Sequence, residues 1–429
     1  MGADIVGKFK DRYILRNLTW TERIDLLQAL QQRVSAELWR LEAYERRYCE
    51  ALAMVEAAAT VSQLADVYRQ CNQLALEGFL ESYSVRGAHQ LCSDSREKIT
   101  QRLLAQVEGE MVEEGFGPPP SPYAWFAVGS DGRRESTLFA DQDDLLSYRY
   151  EETGVQKLLS LKGKIRERLV VLNGDGGARW TKQNLLDGYY QIFSHKMMGR
   201  LDEVGIKRCE GGVMPSNRKW RRSLHQWQEI IKGKVEHGRG DLTTLELIIL
   251  MDLRCVAGDQ SLGDELVSFV NTHVASDSEL LTEMIRPAIL MAVPIGFFKR
   301  FITEKTGEHK GKLNLKLGGW APLVLIVRIF AKKYGLTTTN TMERIEGLRD
   351  AEVLSPEFAG ELQEAYYALL KNRFLHQVEL MSKGLDNDDY LDPETLSDVA
   401  QEELREALRK VEALQKLANR VFIMGGFTL

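Results

Sequence analysis

From Thr19 to about Glu114 the apolar positions recur at helical spacing, with Ile24, Leu27, Ala29, Leu30, Val34, Leu38 and Leu41 as the clearest series. Thr21 is placed to cap the first of these helices, and no proline occurs between Met1 and Gly117. The pattern predicts a bundle of long helices over residues 1–115. Gly115-Phe116-Gly117-Pro118-Pro119-Pro120-Ser121-Pro122 then ends it, because proline cannot continue a helix and restricts the residue before it. Beyond the break, Tyr123 to Val128 and Asp144 to Tyr150 have strand character. Turns at Asn173-Gly174-Asp175-Gly176-Gly177 and Glu210-Gly211-Gly212 punctuate a mixed α/β segment reaching about Leu262. From there the pattern is helical again, with Pro287, Pro294, Pro322 and Pro393 at junctions. The expected domains are therefore 1–115, 116–262 and 263–429.

The longest apolar runs, Leu323 to Val327 and Leu245 to Leu253, fall well short of the ~20 residues that span a bilayer. The opening Met1-Gly2-Ala3-Asp4-Ile5-Val6 has no apolar signal core, so the expected location is cytoplasmic. A net charge of −6 argues against a duplex nucleic-acid binder, which needs a basic excess to neutralise phosphates. The odd count of five cysteines, without a C-x-x-C pair, fits reduced thiols. No P-loop, G-x-S-x-G or H-E-x-x-H sequence occurs, which sets aside P-loop enzymes, serine hydrolases and zinc proteases.

The chemistry concentrates between the two predicted strands, in Gly129-Ser130-Asp131-Gly132-Arg133-Arg134-Glu135 and Asp141-Gln142-Asp143-Asp144. On a strand, residues two apart share a face, so Asp141 and Asp143 project together while Gln142 turns away. Such a pair suits Mg²⁺ or Mn²⁺, with the remaining ligands drawn from phosphate and water. Gly129 and Ser130 let backbone N–H groups approach phosphates, Arg133 and Arg134 offer cationic forks for a triphosphate, and Glu135 is placed to orient one of them.

This run resembles the G-S-x-G-R-x-E…D-Q-D signature of nucleotidyltransferases related to protein-PII uridylyltransferase, in the branch often found behind CBS or cyclic-nucleotide-binding domains. Three later blocks extend the resemblance over roughly three-quarters of the chain: Gly211 to Asn217 with Trp220, Asp252-Leu253-Arg254 with Gly258-Asp259, and Phe301 to Gly311. The last, with Thr339-Asn340-Thr341 and Arg344, is similar to a helical nucleotidyltransferase substrate-binding domain. The resemblance implies an α+β protein, mostly helical, in which a polymerase-β-like nucleotidyltransferase domain with a mixed sheet is flanked by N-terminal and C-terminal all-α domains. It implies transfer of UMP or AMP from UTP or ATP to an acceptor, which in protein-PII uridylylation is a regulatory protein. Gly129, Ser130 and Arg133 then match nucleotide-contacting positions, Asp141 and Asp143 the metal pair, and Asp252 a third carboxylate that assists the acceptor hydroxyl. Arg134 stands where a small residue, usually glycine, is expected. None of the seven histidines precedes an aspartate, so the metal-dependent hydrolase activity of full-length uridylyltransferases is not expected. No CBS or cyclic-nucleotide-binding pattern is evident in the first 110 residues.

Between Gly296 and Lys316, the cations Lys299, Arg300, Lys305, Lys310, Lys312 and Lys316 face only Glu304 and Glu308. This patch, with Lys305, His309 and Lys310, is a candidate receptor for triphosphate or an acidic partner. Ser216 or Asn217 is placed to cap the helix containing Trp220, Leu224 and Trp227. Asp386-Asn387-Asp388-Asp389 lacks the glycine and final glutamate of a calcium loop. Two other functions compete with transfer to a protein: a nucleotide-sensing module without turnover, and modification of a small hydroxylated molecule. The N-terminal helices suit a homodimer.

Overall fold

A computed structural model describes residues 18–139, 141–173, 181–237, 242–275, 277–296 and 300–425; the Gly174 to Gly177 part of one expected turn and Lys299 lie outside them. In chain order the helices and strands are α1 (Trp20–Ala57), α2 (Val61–Ser82), α3 (Val85–Glu113), β1 (Tyr123–Ala127), β2 (Asp141–Gln142), β3 (Asp144–Tyr148), α4 (Glu152–Leu159), α5 (Lys162–Asn173) and α6 (Lys182–Val204). There follow β4 (Lys207–Arg208), β5 (Arg221–Ser223), α7 (Leu224–His237), α8 (Thr244–Leu250), β6 (Arg254–Gly258), α9 (Gln260–Ala275) and α10 (Ser278–Leu290). The last elements are β7 (Leu313–Asn314), α11 (Ala321–Lys333), α12 (Thr341–Asp350), α13 (Pro356–Ser382), β8 (Tyr390–Leu391) and α14 (Asp398–Ala418). The fold is α+β and mostly helical. No helix among the described residues is long and apolar enough to cross a membrane.

The sheet that positions the site has the order β5-β3-β1-β6, with β1 antiparallel to both β3 and β6 and β3 parallel to β5. Every residue of β1 is buried, as expected of a central strand covered on both faces. Trp125 carries this packing and directs its indole N–H to a carboxylate oxygen of Asp144, 3.0 Å away on the neighbouring strand. Gln142 is wholly buried and donates to the carbonyls of Ile206 (2.6 Å) and Met198 (3.3 Å), which ties β2 to the end of α6. Short β2 pairs in parallel with β4, Asp141 opposite Lys207.

One compact unit ends at Ala53 and a second begins at Met54. Helices α2 and α3 pack on α6, and α3 also on β6, so the second half of the expected N-terminal bundle belongs to the body that contains the sheet. Local signals explain most element ends. Thr60 with Gln63 and Thr243 with Glu246 form capping boxes that open α2 and α8. At α1 the cap is Thr19, not Thr21: the amide of Glu22 donates to the Thr19 hydroxyl at 3.3 Å, and the Glu22 carboxylate accepts from the Thr19 amide at 2.7 Å. Asn217 caps only a 3₁₀ turn at Arg218–Trp220, and Ser223 caps α7 after the strand β5 has intervened.

Candidate functional site

β1 ends at Ala127 and runs into a single helical turn, Gly129–Gly132. Gly129 has φ +59, and a Cβ there would lie 2.9 Å from the Asp143 Oδ2 atom. Glycine is therefore required twice over, by the left-handed backbone and by the close carboxylate. A Cβ on Gly132 would lie 2.0 Å from the carbonyl oxygen of Asp252, so this turn is pressed against the α8–β6 connection. The Val128 amide donates to the Asp143 carbonyl at 3.0 Å, which fixes the turn beside the carboxylate pair.

The pair itself sits at a break in the strand: Asp141 is in β2, Asp143 lies between β2 and β3, and Gln142 points into the interior. Asp141 is exposed and Asp143 half-buried. Burial raises the pKa of Asp143, the Cys209 thiol donates to its carboxylate and lowers it, and the charge of Asp141 raises it further. Burial likewise raises Asp141, against the lowering fields of Arg96, Lys316 and Lys207. Two carboxylates that resist ionising beside one another are relieved by a cation between them. No group of three or more His, Cys, Asp or Glu among the described residues is arranged to hold a metal ion.

Arg96, from α3, was not singled out from the sequence, since nothing local distinguishes one helix arginine from another. It is buried, donating from Nε to Asp131 (2.7 Å) and from Nη2 to the Asp141 carbonyl (2.6 Å). It therefore clamps the glycine turn to the strand that carries Asp141. Asp131 also accepts from the Ser136 hydroxyl, and its carbonyl accepts from Arg254 at 3.0 Å.

The two motif arginines behave differently from expectation. Arg133 is buried and donates to Glu135 and to Asp252, both at 2.7 Å. Arg134 adopts φ +57, the left-handed conformation that explains why glycine suits this place, and forms ion pairs with Asp94 and Glu97 of α3. Arg133, expected to grip a triphosphate, thus has its guanidinium engaged by interior carboxylates.

Asp252, expected as a third carboxylate, is engaged in the same way. It has no exposed surface and is bound by Arg328 Nη2 at 2.6 Å, Arg133 Nη1 at 2.7 Å and Arg344 Nη2 at 3.0 Å. Burial pushes its pKa up, but these guanidinium groups outweigh that and hold it below the usual carboxylate value. Its partners lie on the helical C-terminal part of the chain as well as on the motif, so Asp252 is an interior counter-ion and not an exposed acceptor group.

Around that ion cluster the C-terminal part docks on the motif. Thr339 Oγ1 donates to the Gly132 carbonyl (2.8 Å), Asn340 Nδ2 to the Arg133 carbonyl (3.1 Å), and the Thr341 amide to Glu135 (2.7 Å). On another side, Gln377 donates to the Thr137 hydroxyl at 3.1 Å and Lys207 to Asp386 at 2.6 Å. The basic segment forms a loop closed by Glu304 N–H to the Lys312 carbonyl at 2.8 Å, on which Lys305 and Lys310 are exposed. His309 stacks on Tyr390 at 3.6 Å and pairs with Glu308 at 3.2 Å. The structure does not bring Lys305, His309 or Lys310 into a hydrogen bond or ion pair with the motif; the cation of this segment whose field reaches Asp141 is Lys316.

Residues 69–241 match the family described as "Putative nucleotidyltransferase DUF294", and residues 278–422 match the one described as "Putative nucleotidyltransferase substrate binding domain". No curated protein matches the chain.

Proposed function

Because the chain belongs to the DUF294 nucleotidyltransferase family, with that family's substrate-binding domain behind the catalytic one, we propose that it transfers UMP or AMP from UTP or ATP to an acceptor in a Mg²⁺- or Mn²⁺-dependent reaction. The observation that supports this reading is the Asp141–Asp143 pair beside the positive-φ Gly129, an arrangement suited to a divalent ion next to a phosphate-accepting turn. The metal would be held by Asp141 and Asp143 and would neutralise charge on the triphosphate. Ser130 and the backbone N–H groups at the start of the Gly129–Gly132 turn receive the phosphates, and Lys316 and Lys207 add positive field at Asp141. A regulatory protein, as in PII uridylylation, is the proposed acceptor, with cytoplasmic signalling as its setting.

Pyrophosphate release is the direct test, with each of the four nucleoside triphosphates, Mg²⁺ and a lysate as acceptor source. Asp143→Ala is expected to lower it by about 100-fold or more while leaving the melting curve intact. Full release by that variant rejects the assignment. The sensing module without turnover is favoured by one observation: Asp252, the expected third carboxylate, is engaged by three arginines. Calorimetric binding of a Mg²⁺–triphosphate complex without pyrophosphate release selects that reading. We also assign a self-association role to α1, whose Trp20, Ile24, Leu27, Val34, Leu38 and Leu41 are each more than half exposed at spacings of three, four or seven residues. Sedimentation of a variant with polar residues at Leu27, Val34 and Leu38 tests this, a monomer being the expected product.

A further inference from the structure

Beside the Arg133–Arg134 segment lies a cavity of about 460 Å³, within the range of small-molecule sites. It is walled by Val85, Arg86 and His89 of α3, Arg134 of the motif, Met342 of α12 and Tyr367 of α13. Asp141, Asp143, Gly129 and Ser130 do not line it, so it is separate from the metal-pair corner. His89 is 5% exposed, and its Nε2 atom is buried without a hydrogen-bond partner. Its ring rests on Phe374, with centroids 5.3 Å apart. Burial pushes its pKa down to about 4, so near neutral pH the imidazole is uncharged, with one nitrogen donating and the other accepting. An orphaned polar atom in such a place costs stability until something pairs with it. Arg86 is exposed at the rim and makes no ion pair among the described residues.

We propose that this cavity binds a small planar heteroaromatic molecule carrying one anionic group, and that it is an effector site. The Val85 and Met342 side chains and the Tyr367 ring receive the flat faces, His89 Nε2 pairs with a ring heteroatom or N–H, and Arg86 pairs with the anion. The coupling is built in. Asn340, which also lines the cavity, donates to the Arg133 carbonyl, and Thr339 beside it donates to the Gly132 carbonyl. A ligand in the cavity therefore bears on the same turn that presents Gly129 and Ser130, and its binding and that of a Mg²⁺–triphosphate complex must affect each other reciprocally.

Calorimetry on the full chain in EDTA, with orotate, nicotinate and adenosine 5′-monophosphate as probes, tests the site without requiring turnover. At least one probe is expected to bind saturably at one per chain. Arg86→Ala weakens it by about tenfold or more, and Met342→Trp, which fills the cavity, abolishes it. Asp143→Ala leaves it unchanged. Melting curves of each variant identify misfolding, and exposed Arg86 decides the matter if Met342→Trp does not fold. Absence of binding by all three probes overturns the proposal. So does binding that survives Arg86→Ala and any folded Met342→Trp, and so does binding lost in Asp143→Ala, which places the probe at the metal pair.

Discussion

Asp252 and Arg134 show how one side chain takes its role from its surroundings. Asp252 compensates three buried or near-buried arginines, Arg133, Arg328 and Arg344. Removing its charge strands them in a low-dielectric interior. Asp252→Asn is therefore expected to destabilise the protein by about 3–5 kcal/mol, read from urea unfolding. An Asp252→Asn protein of unchanged stability and lost transfer would instead return Asp252 to catalysis. Arg134 combines a left-handed backbone, unfavourable for a residue with a Cβ by ~1–2 kcal/mol, with half-exposed pairs to Asp94 and Glu97. Surface pairs of that kind contribute at most ~1 kcal/mol. Arg134→Gly trades one for the other, and the expected net change in unfolding free energy is within about 1 kcal/mol.

Among the elements, α12 joins the two family-matched parts. Its N-cap, Asn340, accepts from the Met342 and Glu343 amides through Oδ1 while donating to the Arg133 carbonyl through Nδ2. One amide side chain thus ends a helix and fastens it to the motif turn. Asn340→Ala is expected to cost about 1–2 kcal/mol, the loss of a cap plus a hydrogen bond. Asn340→Asp, which keeps the cap but not the donor, should recover part of the loss in the same denaturant titration. The strands illustrate what periodicity can reach. Tyr123–Ala127 and Asp144–Tyr148 were legible as β-prone runs beside a glycine turn. Arg254–Gly258 and Arg221–Ser223 were not, because β6 borrows its hydrogen bonds from β1 and β5 from β3, far away in sequence. The break in the strand at Asp143 was equally hidden, since it depends on buried Gln142 reaching the Ile206 and Met198 carbonyls.

At the scale of the whole molecule, burial of charge sets how stability responds to pH. Lys332 is 2% exposed, donates to Asn271, and lies near Arg344 and Arg328. Burial first, and those like charges after it, push its pKa from 10.5 down to about 7. Between those values the unfolded chain binds a proton that the folded chain does not, so this group makes stability rise with pH from about 7 upward. Below pH 7 the folded protein bears the full burden of a buried ammonium. Lys332→Met is expected to raise stability at pH 7 and to flatten the slope between about pH 7 and 9, measured as the difference from wild type. The difference matters, because the thiols of buried Cys71 and Cys92 and half-buried Cys255, pushed up to about 11 or 12, oppose the trend above pH 9. A wild-type slope unchanged by the substitution would show that Lys332 is not charged and buried in this way.

Sequence by itself determined the features governed by a few neighbouring residues. These are the long helices, the proline break before β1, the glycine-serine turn that only Gly129 can make beside Asp143, and the carboxylate pair that follows it. Tertiary structure alone decided which charges stay exposed and which face one another. Arg133 and Asp252 are 119 residues apart, and Arg96 reaches Asp141 across 45. No spacing rule spans such distances, because an ion pair is selected by the depth at which folding leaves two groups and by what else is there to neutralise them.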